Sequence, residues 1–310
     1  MLLTKEKLEI FTTNQLILEG PDLAGKTSLY NELHNITAFK WNIQDRSSLS
    51  MLCYARLYGR PTQKERDRLH NELNNLNNRM ILLLPPFSVI EARYHDRGDE
   101  FQDLNSLRKL YDIFAEEAEK IRKRPTVMCI FGDNDLDSMV MFTLEWSHSI
   151  ESCEAWNVGE VIKDTLHSTE NDELTLTAKM SYILSEPDDS ILKNESEGEY
   201  FRGILKQITE TIQNELDGKN PYEIPQDINS RRFFYNSDTC ISGIHFLPRG
   251  ETLKMIVTFR STDVDRNASI DLQFVEYLSH EINRRFEFGC TNVNLFVTLN
   301  SAHIRRDLEV

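Results

Sequence analysis

Apolar and polar positions along the chain change period repeatedly, and each change marks the edge of an element. Gln15 to Glu19 is a short apolar run that stops at a glycine-rich loop, and Lys26 to His34 then carries apolar residues at helical spacing. A second short strand is predicted from Ala38 to Ile43, ending at Asp45-Arg46. Helices are predicted over Ser48 to Tyr58 and Gln63 to Asn77, ahead of the strongly apolar strand Met80 to Leu84. After Pro85-Pro86 come a helix through Arg93, a polar turn Asp96-Arg97-Gly98-Asp99-Glu100, a long amphipathic helix from Leu104 to Lys123, and a core strand from Thr126 to Phe131. Strands alternating with helices predict an α/β domain with a parallel sheet flanked by helices.

The pattern then changes. Ser168 to Glu173 and Ser185 to Glu199 are poor in apolar residues and read as connections. The expected division is a first domain over residues 1–160 and a second over 161–310. Tyr200 to Leu216 has the spacing of an amphipathic helix, and Phe233 to Tyr235, Ile241 to Leu247 and Leu253 to Phe259 read as strands. Arg249-Gly250 supplies the turn between the last two. A helix from Ile270 to Phe286 and a strand from Val293 to Leu299 complete an α+β domain.

A length of 310 residues suits two domains, each with an adequate core. The net charge of −15 argues against holding nucleic acid by broad phosphate neutralisation, though a local basic groove is compatible with it. Five cysteines without a C-x-x-C pair suggest neither a disulfide framework nor a zinc site, and point to a reducing, intracellular setting. Charged residues within Met1 to Phe11 do not fit a secretory signal, and the longest apolar run, Met80 to Pro86, is too short to span a bilayer. A soluble cytoplasmic protein with no membrane partner is expected.

The loop carries the clearest chemistry. Gly20-Pro21-Asp22-Leu23-Ala24-Gly25-Lys26-Thr27 lies between a strand and a helix, the setting in which backbone N–H groups cradle a polyphosphate. Lys26 is placed to neutralise β/γ-phosphate charge and Thr27 to ligate Mg²⁺, with ATP as the nucleotide. Asp22, inside this loop, either faces the acceptor or closes an Asx turn.

The string from Glu19 to Thr27 resembles thymidylate kinases, whose loop carboxylate faces the acceptor nucleotide. Asp45-Arg46-Ser47 with Ser50 and Tyr54 is similar to the Asp/Glu-Arg-Ser/Tyr signature of thymidylate and deoxynucleoside kinases. Met80 to Pro86 with Glu91 and Arg93 resembles their strand and following helix, and the Arg97 turn with Leu110-Tyr111 resembles their lid and its exit helix. The resemblance covers about residues 14 to 125 and implies that Arg93 and Arg97 clamp the transferring phosphate. Otherwise these two arginines are a solvated helix end paired with Asp96 and Asp99. One departure stands out: only a short helix and strand separate Lys26 from Asp45, so the segment that builds much of the monophosphate pocket in thymidylate kinases is missing. The short spacing is similar to polynucleotide-kinase-like enzymes, which implies Asp45 as general base and Arg46 as a phosphate ligand. Asp45 also suits the N-cap of the Ser48 helix.

From about Tyr200 the chain resembles the C-terminal half of thymidylate synthases and pyrimidine hydroxymethylases. The matching residues are Ser230-Arg231-Arg232, Cys240, Arg260-Ser261 with Asp263, Asp271 and His303. The resemblance implies phosphate binding by Arg231, Arg232, Arg260 and Ser261, a pyrimidine contact at Asp271, and site roles for Cys240 and His303. Cys240 lies in Thr-Cys-Ile, unlike the family's Pro-Cys-His, Arg305 replaces a Tyr, and the folate-binding half is absent. A retired enzyme that retains affinity for a pyrimidine deoxynucleotide is expected. On the residues alone, Cys240 reads as a small buried hydrophobe ahead of a nucleophile. Phosphate arginines in that family are shared across a dimer, so a homodimer through the second domain is implied.

Together the halves suggest a kinase whose acceptor is a pyrimidine deoxynucleotide, free or within DNA. Kinases of this type occur in phage pathways that hypermodify thymidine, which implies hydroxymethyluracil in DNA as acceptor and, if phage-encoded, the host cytoplasm as location. The alternatives are a free deoxynucleoside monophosphate kinase and a non-catalytic protein that ATP closes.

Overall fold

The computed structural model describes residues 15–98, 102–148, 155–169, 171–195 and 197–304. Asp99 and Glu100 of the expected polar turn, and Arg305, lie outside the described residues. The chain divides into two compact units, Met1–Ser152 and Cys153–Val310.

In the first unit, strand β1 (Gln15–Glu19), β2 (Ile43–Asp45), β3 (Asn78–Leu84) and β4 (Val127–Phe131) form one parallel sheet in the order β2-β1-β3-β4. Successive residues of β1 point to opposite faces, and both faces are buried, as continuous apolar strands require. Leu16 and Leu18 pack with helix α1 (Lys26–Ile36) and helix α6 (Leu136–His148) through Leu29, Leu33, Met139, Val140 and Leu144. Ile17 packs on the other face with α2 (Ser48–Leu57), α3 (Gln63–Asn74) and α5 (Leu104–Ile121) through Leu52, Leu73, Leu110 and Phe114. Helix α5 buries Leu107, Leu110, Phe114, Ala118 and Ile121, a stripe at three- and four-residue spacing, and starts at Asp103, whose carboxylate accepts from the Ser106 amide at 2.7 Å. Helix α4 (Phe87–Arg97) follows Pro85-Pro86.

This order places β1 between β2 and β3, so the chain leaves β1 to one side and returns to the other. Ligands of open α/β sheets bind outside the carboxyl ends of the strands at such a reversal. The loop after β1 and the Asp45-Arg46 turn after β2 both emerge there.

Several boundaries differ from the sequence expectation. The second strand begins at Ile43 instead of Ala38, because Ala38 and Phe39 adopt left-handed backbone (φ 50° and 60°) as α1 closes, with the Phe39 amide bonding His34 O at 2.9 Å. Phe39, read as part of the strand, is largely exposed. Helix α3 ends at Asn74, where an Asn75 to Asn78 turn takes over. Helix α4 continues through Arg97, so Asp96 and Arg97 are helical and not part of a turn.

In the second unit, helix α7 (Ala155–His167) precedes strand β5 (Glu173–Ile183) and a short 3₁₀ turn at Asp189–Lys193. Helix α8 (Gly198–Leu216), strands β6 (Phe234–Asn236), β7 (Ile241–Arg249), β8 (Thr252–Phe259) and β9 (Thr262–Asp263), helix α9 (Ala268–Arg285) and β10 (Asn292–His303) follow. The sheet order is β5-β10-β8-β7-β6, with β10 parallel to β8, antiparallel to β5, and extended by β9. This is the expected α+β arrangement. Helices α6 and α7 and strand β5 go beyond the sequence expectation, and the expected boundary after residue 160 falls inside α7, which packs closely on α9 at Gly159 and Ser269.

Candidate active site

The loop is held open by glycine. Gly20 has φ 140°, and a Cβ there would lie 2.3 Å from the Leu83 carbonyl oxygen on β3, so no larger residue fits. Gly25 precedes α1 at φ 106°, and no acidic residue occupies the first turn of that helix. The first amides of α1 thus face the loop without a carboxylate to compete for them.

Lys26, the first residue of α1, is buried, and its Nζ donates to the Gly20 and Pro21 carbonyls at 2.7 Å each. Burial, aided by the neighbouring Arg46 cation, pulls its ammonium down to about 8, against the pull of Asp22, Glu19 and Asp45. Thr27 is exposed beside it. Among the described residues there is no group of three or more His, Cys, Asp or Glu arranged to hold a metal. The exposed Thr27 hydroxyl is the group beside Lys26 that would hold a magnesium ion brought by phosphates, which fits a loop of this chemistry.

Asp22 does not close an Asx turn in the loop: its carboxylate takes bonds from the Arg46 guanidinium and the Tyr54 hydroxyl, and Arg46 also donates to Tyr54 at 3.0 Å. Burial raises the Asp22 carboxyl, but Tyr54 and Arg46 outweigh it and hold the group below the ordinary range. Arg46 has φ 67° and Leu23 φ 63°, left-handed conformations that cost side-chain-bearing residues energy and that cluster at functional sites. Asp45 is exposed at the end of β2. It is not the cap of α2, because Ser47 takes that position. Arg93, on α4, donates to the Leu23 carbonyl at 2.7 Å and braces the loop from outside. Arg97 is exposed one turn further along the same helix face.

The residue that sequence reasoning missed is Glu19. It is fully buried at the end of β1 and accepts from the Ser47 amide at 2.6 Å, the Ser47 hydroxyl at 2.7 Å, the Ser50 amide at 3.1 Å and the Ser50 hydroxyl. One carboxylate thus fastens the start of the phosphate loop to the first turn of α2. The signal was available: an acid ending an otherwise apolar strand.

In the second unit, Cys240 precedes β7 and is exposed, which overturns the expectation of a buried hydrophobe. Its carbonyl accepts from the Arg260 amide at 2.8 Å, so Cys240, Arg260 and Ser261 share one end of the sheet. Tyr200 lies within electrostatic reach of both Cys240 and Asp271 and donates to Thr239 at 3.1 Å. His303 pairs with Asp263 where β10 meets β9. Arg231 and Arg232 are not part of this group. The Arg231 carbonyl bonds the His245 ring at 2.8 Å, and Arg232 lies over the Tyr222 ring. Five residues of extended strand, roughly 16 Å, separate that level of β7 from Cys240.

Asp271 is buried in the first turn of α9, and burial, with Glu197 nearby, pushes its carboxyl up to about 8. A carboxyl raised in the folded state stabilises below its unfolded value of 3.8, and that contribution is lost as pH rises to about 8. Asp271→Asn is expected to make the second unit more stable than wild type at pH 8 and above, by about 2–5 kcal/mol. Amide exchange of β8 and β10 across pH 5 to 9 measures this. Equal protection at pH 8.5 would contradict it.

The site and topology define an α/β unit with a glycine loop after β1 and, among the described residues, four parallel strands, followed by a mixed-sheet α+β unit. No helix among the described residues is long and apolar enough to cross a membrane. No family model matches the chain, and no curated protein does. Among solved structures, the chain is similar to the YorR protein of Bacillus subtilis in complex with phosphorylated GDP, at 18% identity and TM-score 0.34, over 44% of this chain and 98% of that one. It is also similar to thymidylate synthase from T4 phage, at 13% identity and TM-score 0.32, over 49% of this chain and 77% of that one. Thymidylate synthase A from Bacillus subtilis matches at 12% identity and TM-score 0.31, over 49% and 79%.

Proposed function

We propose that the first unit transfers the γ-phosphate of ATP to a hydroxyl of a pyrimidine deoxynucleotide, the favoured acceptor being the hydroxymethyl group of 5-hydroxymethyluracil in DNA. The observation that carries the phosphotransfer reading is Lys26, buried at the start of α1 on the Gly20 and Pro21 carbonyls, with exposed Asp45 within its electrostatic reach. Loop amides and Lys26 hold the β- and γ-phosphates. The acceptor oxygen attacks the γ-phosphorus, an oxygen–phosphorus bond forms, the bond to the β–γ bridging oxygen breaks, and ADP leaves. Asp45 takes the acceptor proton. Arg93 steadies the loop through Leu23. Magnesium, held by Thr27 and the phosphates, supplies charge neutralisation when bound.

The DNA acceptor is supported by the absence from this sequence of the segment that encloses a nucleoside in thymidylate kinases. For the second unit we propose retained pyrimidine deoxynucleotide binding at the sheet end that holds Cys240, Arg260 and Ser261, with Asp271 as the candidate base contact. Arg231 and Arg232, distant along β7, would meet that phosphate only from a second copy.

Asp45→Asn is expected to lower kcat by about 10²- to 10⁴-fold while leaving affinity for an ATP analogue unchanged. Unchanged turnover would remove the general-base role, and unchanged biological function without turnover would favour an ATP-gated binding protein. Labelled ATP supplied with hydroxymethyluracil DNA and, separately, with dTMP tests the acceptor. Transfer to free dTMP alone rejects the DNA reading.

A further inference from the structure

A cavity of about 750 Å³ opens beside the loop, between α2 and α3, lined by Arg46, Met51, Tyr54, Arg60, Glu65 and Arg68 among others. Its volume falls in the range of small-ligand sites. Resting on the proposed phosphotransfer, we propose that this cleft is the acceptor site and that Arg60 and Arg68 grip a phosphate of a nucleotide acceptor.

Three observations carry the assignment. First, Arg46 and Tyr54 line the cleft and are both bonded to Asp22 of the glycine loop, so the cleft adjoins the loop through this pair. Second, three arginines converge on one cleft in a chain of net charge −15, where cations are outnumbered 50 to 35. Third, two of those cations are not committed to strong ion pairs. Arg60 lies over the Tyr58 ring and has no ion-pair partner among the described residues, while Arg68 meets Glu65 only at 3.5 Å with half its side chain exposed. Guanidinium groups held this way bind phosphate in the paired geometry that suits it. Glu65 and Glu72 on the same walls bar a bare polyanion, and favour a ligand that offers sugar and base donors alongside its phosphate. The phosphate belongs either to a free nucleotide or to a DNA strand.

The test is equilibrium binding, independent of turnover. A fluorescein-labelled single-stranded oligonucleotide containing hydroxymethyluracil, and dTMP, are titrated against the full chain and its Arg60→Ala/Arg68→Ala variant. Affinity for a non-hydrolysable ATP analogue serves as the folding control. At least one probe is expected to bind wild type and to weaken tenfold or more in the variant. If that probe is the oligonucleotide, its log-affinity slope against log salt should also fall by roughly 0.7, the value for one phosphate of a single strand. Affinity within twofold and equal stoichiometry in both proteins for every probe that binds overturns the assignment, as does the binding of neither probe to wild type; a site in the second unit would be retained by both proteins and shows as the stoichiometry left in the variant. Failure of the ATP analogue to bind wild type sinks the phosphotransfer reading instead, so the two failures are distinguishable.

Discussion

Replacing Lys26 by alanine is expected to lower phosphate transfer by about 10²- to 10³-fold, roughly 3–4 kcal/mol of transition-state stabilisation. The reason is geometric as well as electrostatic. The ammonium is already desolvated and fixed by two loop carbonyls, so it needs no reorganisation when charge develops on the transferring group. Its depressed value of about 8 adds a pH dependence whose sign is fixed. Between about 8 and 10.5 the unfolded chain holds a proton that the folded apo-protein has lost, so wild-type stability rises with pH through that window relative to Lys26→Ala. The difference approaches about 3 kcal/mol at most. Triphosphate binding runs the other way. It favours the charged lysine, so affinity for an ATP analogue is expected to fall by about tenfold per pH unit above 8. Calorimetry and thermal scans of the two proteins from pH 7 to 10 read both slopes. An alanine variant with wild-type turnover would end the proposal.

The second large effect is structural. Glu19→Ala is expected to destabilise the first unit by about 3–5 kcal/mol, because two amides and two hydroxyls lose a buried charged acceptor and a cavity opens at the end of β1. Glu19→Gln, which keeps the volume and one acceptor oxygen, should cost less than half as much. Hydrogen exchange of β1 and α2 amides provides the measurement. Protection lost in β1 but retained in α2 would show that the carboxylate does not join them.

The fold was legible where a single period ran long enough. Helix α5, with its clear stripe, and the apolar strands β1 and β3 declare themselves, as does the glycine loop between β1 and α1. Helix α6 does not, because its apolar residues lie all round it: Met139, Val140 and Leu144 are buried while Met141 and Phe142 are exposed. Strand β5 alternates cleanly through Leu174, Leu176, Ala178 and Met180, but polar connections on both sides masked it. At the site, the sequence named Asp22 and Arg46 without pairing them, since their bond depends on how β2 lies beside β1. The cleft arginines were equally hidden, because Arg60 and Arg68 fall in a helix connection and on a charged helix that look like ordinary solvated surface.

Glu19 works as a ruler. Beside the β1–β2 ladder, this one side chain ties the glycine loop to the start of α2, so its length helps to set the spacing that the proposed transfer would cross. An aspartate would be shorter by one methylene, over an ångström, in a reaction where an error of about 1 Å can cost a hundredfold. Chemically similar acids are therefore not equivalent there, because Glu19 holds Ser47 and Ser50, which line the cleft, and a change in its length moves that wall.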